Sequence, residues 1–288
     1  MASPLAAQII TFLQQEPRFQ AVNELRLHID GQAVGWVRPR VAEALYGLDR
    51  QRVRVDGQGV RLASDGTTAG RSALLQDLAI RLKQQGLLQN WRDEAMQLDV
   101  AGQPFLILER AAFRTFGLQT PSVHLNAWVA GVDGAELWVA RRSSHKFVDP
   151  GKLDNLVGGG LAAGESRATG LAREAWEEAG LTLRHPPAPQ CFLHIHRRIP
   201  EGVQDEHVAV HDLWLPAHIQ PHNQDGEVAS VERWPIARVL THLLAGEFTW
   251  DAGLVVLAGL LRQRYFGSDN LLIASELKAR GYWPETAA

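Results

Sequence analysis

The stretch from Gly159 to Leu181 constrains this chain more than any other part of its sequence. Apolar residues recur at helical spacing between Arg167 and Ala179, and Gly180 supplies a residue at which such a helix ends. We therefore predict a glycine loop, Gly158–Gly160, followed by a helix from about Arg167 to Ala179. The residues of this stretch that hold a fixed spacing are Gly159, Glu165, Arg173, Glu174, Ala175, Glu177, Glu178, Gly180 and Leu181.

Three glutamates, Glu174, Glu177 and Glu178, are expected to project together from the side of this helix opposite its apolar residues. Carboxylates at this spacing repel one another. A hard divalent cation such as Mg²⁺ or Mn²⁺, which prefers oxygen ligands, would relieve that repulsion. Arg173 precedes Glu177 by four residues and can orient it through an ion pair. The residues expected on the buried side are Ala168, Leu171, Ala172, Ala175 and Ala179.

An ordinary acidic surface helix is the alternative to a metal site. The glycine loop argues against it, because consecutive glycines let the backbone pass close to a ligand. Gly164-Glu165 then turns the chain into the helix. Loop, helix and terminating glycine thus agree in predicting a site that binds a metal ion and phosphate.

The fixed positions fill the complete signature of the Nudix hydrolases, which this stretch resembles. The resemblance implies an α/β fold, a Nudix α/β/α sandwich with a mixed sheet, and hydrolysis of a diphosphate bond by water with Mg²⁺ or Mn²⁺ as the cofactor. It also implies that Glu165 supports the loop and Arg173. The metal ligands that it implies are the carbonyl of Gly159 and the side chains of Glu174, Glu177 and Glu178.

The general base stays open between two glutamates. Glu174 is one candidate by its place in the signature, and Glu227 is the other, because Nudix enzymes often recruit a glutamate from outside it. Asp225-Gly226-Glu227 also has an ordinary explanation as an acidic turn. The catalytic residues predicted on this basis are Arg173, Glu174, Glu177, Glu178 and Glu227.

A basic segment precedes the glycine loop. Guanidinium and ammonium groups make charge-assisted hydrogen bonds to phosphate oxygens, so this segment is a candidate for holding the diphosphate. An exposed basic turn explains it equally well. Its basic residues are Arg141, Arg142, His145, Lys146 and Lys152. The substrate-binding residues that we predict are Arg141, Arg142, Lys146, Gly159 and Gly160.

The 288 residues divide into two predicted domains. Residues 1–118 are expected to form a smaller α+β domain with hairpins that turn at Asp30-Gly31 and Asp56-Gly57, and we find no catalytic signature there. Residues 119–288 are expected to form the Nudix domain, since glycine and proline interrupt the periodicity between Gly117 and Ser122.

Segments outside the signature narrow the resemblance to one Nudix subgroup. That subgroup includes the Nudix part of fungal thiamine pyrophosphokinases and certain plant Nudix enzymes, with an accompanying domain of unknown function. The resemblance implies that thiamine diphosphate, or its oxidised analogues, is cleaved to the monophosphate and phosphate. The segments that carry it include Gly35–Val37, Trp91–Glu94, Glu109-Arg110, Val123–Asn126 and Asp225–Glu227.

Three other functions compete with this interpretation. One is Nudix hydrolysis of a nucleoside diphosphate derivative, such as a sugar nucleotide or a dinucleotide. A non-catalytic module that senses a nucleotide usually has a degraded signature, whereas every position is filled here. An isopentenyl-diphosphate isomerase would need a suitably placed catalytic cysteine. Cys191 is the single cysteine, comes after the acidic helix and is expected to be a core residue.

Composition limits the partners and the location of the protein. A net charge of −3 gives no electrostatic case for nucleic acid. No secretory signal is evident in residues 1–19, and no run approaches the roughly 18 apolar residues of a membrane span. A single cysteine excludes an intrachain disulfide. We therefore predict a cytoplasmic protein whose partner is a small-molecule diphosphate, and a homodimer is compatible with the resemblance.

Histidines in the second half raise the question of a zinc site. Zinc sites in proteins usually combine cysteines, or a helical pair of histidines, with the remaining ligands. Neither is present near these residues, so we interpret them as ordinary strand histidines. They are His194, His196, His207 and His211.

Overall fold

A computed structural model describes residues 2–16 and 18–282, so residues 1, 17 and 283–288 of the two predicted domains lie outside it. The helices are α1 (Pro4–Leu13), α2 (Pro39–Leu48), α3 (Thr68–Gln84), α4 (Arg110–Phe116), α5 (Arg167–Ala179), α6 (Ile236–Leu244), α7 (Trp250–Arg262) and α8 (Asn270–Ala279). The strands are β1 (Leu25–Ile29), β2 (Gln32–Val37), β3 (Val53–Asp56), β4 (Gly59–Leu62), β5 (Ala95–Val100), β6 (Gln103–Glu109), β7 (Gln119–Gly131), β8 (Gly134–Arg142), β9 (Leu153–Asn155), β10 (Val157–Gly160), β11 (Cys191–Ile199), β12 (Gly202–Trp214) and β13 (Val228–Pro235).

The part of the chain before β7, called the first half below, forms a four-stranded sheet in the order β2-β1-β4-β3 and a separate β5-β6 pair. Both predicted hairpins are confirmed, since β1 pairs with β2 and β3 with β4 in antiparallel register. Asp30 and Gly31 both have positive φ, 49° and 83°, as a two-residue hairpin turn requires. Helices α2, α3 and α4 pack on these strands in one hydrophobic cluster.

The part of the chain from β7 onward, called the second half below, forms a seven-stranded mixed sheet. In it β12 runs parallel to β7, and their other neighbours are antiparallel. One face packs on α5, where Leu171 and Ala175 meet Val123 and Leu125. The other face packs on α6 and α7. This arrangement confirms the predicted mixed sheet between layers of helices. No helix within the described residues is long and apolar enough to cross a lipid bilayer.

Helix α1 packs on the second half of the chain, although it comes first in the sequence. Its buried residues Ile9, Phe12 and Leu13 belong to the same hydrophobic cluster as α6, α7 and α8. The side chain of Ser3 caps α1 by accepting a hydrogen bond from Ala6 N at 3.2 Å. The division at residue 118 stays a prediction, and it would separate α1 from the core that covers its apolar face.

Candidate active site

Helix α5 begins and ends at the residues that its sequence predicts. The hydroxyl of Ser166 caps the first turn by accepting a hydrogen bond from Thr169 N at 3.1 Å. Gly180 closes the helix with φ of 64° in the left-handed region. Loop residues 222–224 then cover this end, where His222 N and Gln224 N donate to the carbonyls of Ala179 and Glu177. Both ends of the acidic helix are therefore fixed.

Glu174 and Glu178 point toward the core, which corrects the prediction that the glutamates project opposite the apolar residues. They are only 8% and 6% exposed, whereas Ala168 is exposed. The predicted glycine loop is in fact the strand β10, because Gly158–Gly160 pair with β7. Helix α5 packs against this strand, so that Glu178 accepts a hydrogen bond from Gly158 N at 2.8 Å. A Cβ at Gly159 would collide with the Glu174 carboxylate. The glycine loop therefore makes room for buried carboxylates.

Arg173 joins the carboxylates of the signature. Its guanidinium donates to both oxygens of Glu165 at 2.9 Å, to Glu174 at 2.8 Å and to Glu177 at 2.9 Å. It also donates to the carbonyl of Gly160 at 3.2 Å. These hydrogen bonds, above all those to Glu165, raise the pKa of Arg173. The guanidinium thus fixes the helix, the loop and the carboxylates relative to one another.

The buried carboxylates carry an electrostatic cost. Burial, with the nearby charges of Glu174 and Asp154, raises the pKa of Glu178 to about 8, and burial also raises the pKa of Glu174. The ammonium of Lys146, 4.0 Å from Glu178, offsets only part of this cost. Glu177 lies further out, with its side chain 38% exposed. Buried oxygen donors with destabilised charged forms fit a hard divalent cation.

Glu227 reaches this group of carboxylates from far along the chain. Its carboxylate pairs with Lys146 and lies 3.4 Å from Arg92 Nη1. Its backbone N–H donates to Asp225 at 2.8 Å, and Gly226 has φ of 82°. The segment is therefore an acidic turn, and this turn places the Glu227 carboxylate beside Lys146, which also lies near Glu178. The role of Glu227 as a general base stays a prediction.

The residues of the basic segment have different contacts. Lys146 lies beside the carboxylates of Glu178 and Glu227, whereas Arg141 and Arg142 bond to the loop that contains Lys146. Arg142 donates to the carbonyls of Val148 and Asp149 and to the Asp154 carboxylate at 2.8 Å. Arg141 donates to the Gly151 carbonyl at 2.7 Å. His145 is exposed, and Lys152 pairs with Asp149 on the surface. The hydrogen bonds of the two arginines hold the loop from which Lys146 extends.

A cavity between the two halves opens beside the glycine loop, and sequence reasoning missed several of its lining residues. His124 lies against Gly158 and bonds to Asn155 at 2.9 Å through its Nδ1. Arg92 and Arg110 come from the first half. The subgroup resemblance was the signal that could have found these residues, because they lie in the segments Val123–Asn126, Trp91–Glu94 and Glu109-Arg110. The residues that line this cavity include Arg92, Arg110, His124, Arg142, Lys146 and Asp154.

Cys191 and the strand histidines lie outside this site. Cys191 is buried in the hydrophobic core, as predicted, and burial raises the pKa of its thiol to about 11. The isomerase alternative therefore lacks its cysteine. His194, Asp205 and His207 bring their ligand atoms within 4.8 Å of one another. Within the chain, His194 Nε2 bonds to Asp205 at 2.9 Å and His207 Nε2 to Gln119 at 3.1 Å, and their interpretation as ordinary strand histidines stays a prediction.

The two halves match different family models. Residues 6–120 match a domain of unknown function (DUF4743), and residues 122–254 match the NUDIX domain. The first match ends at residue 120 and the second begins at residue 122, near the start of β7.

Three curated relatives match the chain. Nudix hydrolase 20, chloroplastic, of Arabidopsis thaliana is 30% identical over 84% of this chain and 68% of its own length. Nudix hydrolase 24, chloroplastic, of the same plant is 35% identical over 55% and 44%. Uncharacterized protein YJR142W of Saccharomyces cerevisiae is 27% identical over 69% and 64%. The chain thus spans between 44% and 68% of the relatives it matches. On the filled signature, the geometry around it and these matches, the chain belongs to the Nudix hydrolase family.

Proposed function

We propose that the chain hydrolyses a diphosphate bond with the help of Mg²⁺ or Mn²⁺. The observation that carries this proposal is the pair of buried carboxylates, Glu174 and Glu178, packed around Gly158 and Gly159. A bound cation would neutralise charge on the phosphate oxygens and lower the pKa of the attacking water. The residues that we propose as its ligands are the carbonyl of Gly159 and the side chains of Glu174, Glu177 and Glu178.

The other predicted residues take distinct proposed roles. Arg173 holds the carboxylates in place through its hydrogen bonds. Lys146, with the backbone of Gly159 and Gly160, would contact the substrate phosphates, and Arg141 and Arg142 would act by holding the Lys146 loop. Glu227 and Glu174 stay the two candidates for the general base. The carboxylate of Glu227 is the more exposed of the two, so it has easier access to water.

We propose thiamine diphosphate, or an oxidised analogue, as the substrate, with the monophosphate and phosphate as products. The proposal rests on the resemblance of both halves to the thiamine-related Nudix subgroup. A nucleoside diphosphate derivative is the second candidate, because the signature itself serves that larger class. We further propose that residues 1–118 and 119–288 are separate domains. The cytoplasmic location stays a prediction, and both plant relatives are named as chloroplastic.

The test is phosphate release from a panel of thiamine, sugar-nucleotide and dinucleotide diphosphates with Mg²⁺. The Glu178→Gln variant is expected to lose about 10²-fold or more in rate, because it loses a metal ligand. Glu43→Gln, at an exposed position on α2, is the matched control and should keep the wild-type rate. Release from no compound of the panel, or full activity of Glu178→Gln, would contradict the proposal. Binding without turnover would indicate a sensing module instead.

A further inference from the structure

Two arginines of the first half face the glycine loop of the proposed site. Arg92 lies 3.4 Å from the Glu227 carboxylate. Arg110 Nη2 would lie 3.8 Å from a Cβ added to Gly160. Both arginines line the cavity that contains the glycine loop, and they also line the adjoining cavity that contains Glu174 and Glu177. They are therefore positioned between the basic and the acidic parts of the site.

The backbone around the two arginines is fixed by buried hydrogen bonds. Glu109 is only 4% exposed, and its carboxylate accepts from Arg92 N at 2.9 Å and from Ala111 N at 3.2 Å, which caps α4. Arg110 N in turn donates to the Glu94 carbonyl at 2.8 Å. A buried carboxylate thus holds the segment of Arg92 and the start of α4 together. The side chains extend from a preorganised frame.

The chain conformation around Arg92 is unusual. Asn90 and Asp93 both have φ of 59°, a left-handed value that side chains with a Cβ adopt at a cost. Trp91 packs against the hydrophobic cluster of the first half, and Lys83 Nζ lies 4.5 Å from its ring centroid. Arg92 points the other way, into the cavity. The turn therefore places Arg92 at the cavity while Trp91 packs on the core.

Arg92 and Arg110 both pair with partly exposed carboxylates, Arg110 with Glu94 at 2.7 Å and Arg92 with Glu227 at 3.4 Å. Burial lowers the pKa of Arg92, and the charges of Arg110 and Arg142 add to that effect. The carboxylates beside them, Glu94 and Glu227, are 48% and 36% exposed, so water screens these ion pairs. A diphosphate carries several negative charges and accepts the paired N–H groups of a guanidinium. It would be a stronger partner than either carboxylate.

We propose that Arg92 and Arg110 bind the non-bridging oxygens of the substrate diphosphate, so that the first half of the chain completes the hydrolase site. The inference rests on the proposed function, since it takes a diphosphate as the ligand of the same cavity. It gives the domain of unknown function a role in binding the substrate. The proposal requires no contact between these arginines and the metal ligands of α5.

Calorimetric titration with methylenediphosphonate, a diphosphate that is not hydrolysed, tests the proposal in the presence of Mg²⁺. Arg92→Gln and Arg110→Gln should each bind this probe at least tenfold more weakly than wild type. Arg81→Gln, an exposed arginine of α3 paired with Asp77, is the matched control and should bind within twofold. Arg92→Lys, which keeps the charge but not the fork, should show intermediate affinity. Mn²⁺ binding, measured by electron paramagnetic resonance, should not weaken in any variant.

The outcomes separate this inference from the proposed function. Wild-type affinity in both Gln variants, or no binding of the probe by the wild type, overturns the inference. Loss of affinity that is matched by loss of Mn²⁺ binding or by unfolding in a thermal melt overturns it as well, because the arginines would then be structural. Selective loss of probe binding, together with no phosphate release from any compound of the panel, supports the inference and contradicts the proposed function.

Discussion

The two halves of this protein carry their parts of the candidate site in different ways. In the second half, the glycine loop and the carboxylates lie within residues 158–178, on two adjoining elements. In the first half, Arg92 and Arg110 lie in two separate segments, Trp91–Glu94 and Glu109-Arg110, which only the subgroup resemblance marks. Both sets nevertheless line the same cavity. The candidate site therefore combines one local motif of the second half with side chains from distant segments of the first.

The halves also differ in how they build their cores. The core of the first half uses residues between 27 and 118. The core of the second half includes α1, whose residues Ile9 and Leu13 come from the start of the chain. The second half therefore depends on α1 for part of its core. The first half, in turn, contacts the candidate site where it meets the second half.

Gly159→Ala should produce the largest effect, because the added Cβ would displace the Glu174 carboxylate. We expect a loss of at least about 10²-fold in the rate of phosphate release. Gly57→Ala, in the first half, is the control, since a Cβ there meets nothing within 4 Å. An active Gly159→Ala variant would show that Glu174 is not needed in its present position, and the contrast between the halves would weaken.

Leu13→Ala should destabilise the second half of the protein by about 2 to 3 kcal/mol, since it leaves a cavity in that core. Leu75→Ala, at an equally buried position in the first half, should cost a similar amount there. Urea unfolding followed by hydrogen exchange assigns each loss to one half. If Leu13→Ala weakens protection in the first half only, the packing comparison is wrong.

Arg173→Lys should reduce the rate about tenfold, or about 1.4 kcal/mol in activation free energy. A lysine keeps the charge but cannot contact Glu165, Glu174 and Glu177 together as the guanidinium does. Arg167→Lys, at the exposed start of the same helix, should leave the rate unchanged. Equal rates in both variants would mean that charge alone suffices at residue 173.

The stability of the metal-free protein should fall as pH rises from about 5 to 8, because the buried Glu178 carboxyl loses its proton over this range. The pKa of Glu178 is raised from 4.5 to about 8 by burial, so the folded state binds more protons than the unfolded state in this range. Urea unfolding in EDTA should show a smaller slope with pH for Glu178→Gln than for wild type and Glu43→Gln. Saturating Mg²⁺ should flatten the wild-type slope, and identical slopes in all three proteins would contradict the shifted pKa.

The bounds of several elements could be predicted because their signals are local. Helix α5 runs over Arg167–Ala179, and α4 ends at Gly117, as capping and glycine signals indicate. The short strands β9 and β10 were missed, because their hydrogen bonds are made to β8 and β7 and leave little periodicity in three or four residues. Helix α8 was missed as well, and its weak amphipathic pattern buries only Ile273 and Leu277.

The sequence by itself identified the Nudix signature and the acidic helix, because the spacing of glycines and glutamates is local and spans only a few turns of chain. Only the tertiary structure decided that Glu174 and Glu178 face inward, that Glu227 joins them, that Arg92 and Arg110 arrive from the first half, and that α1 packs on the second. The physical reason is that these contacts join residues distant in sequence. Helical periodicity gives the spacing of side chains, but the packed neighbour determines which of them are buried.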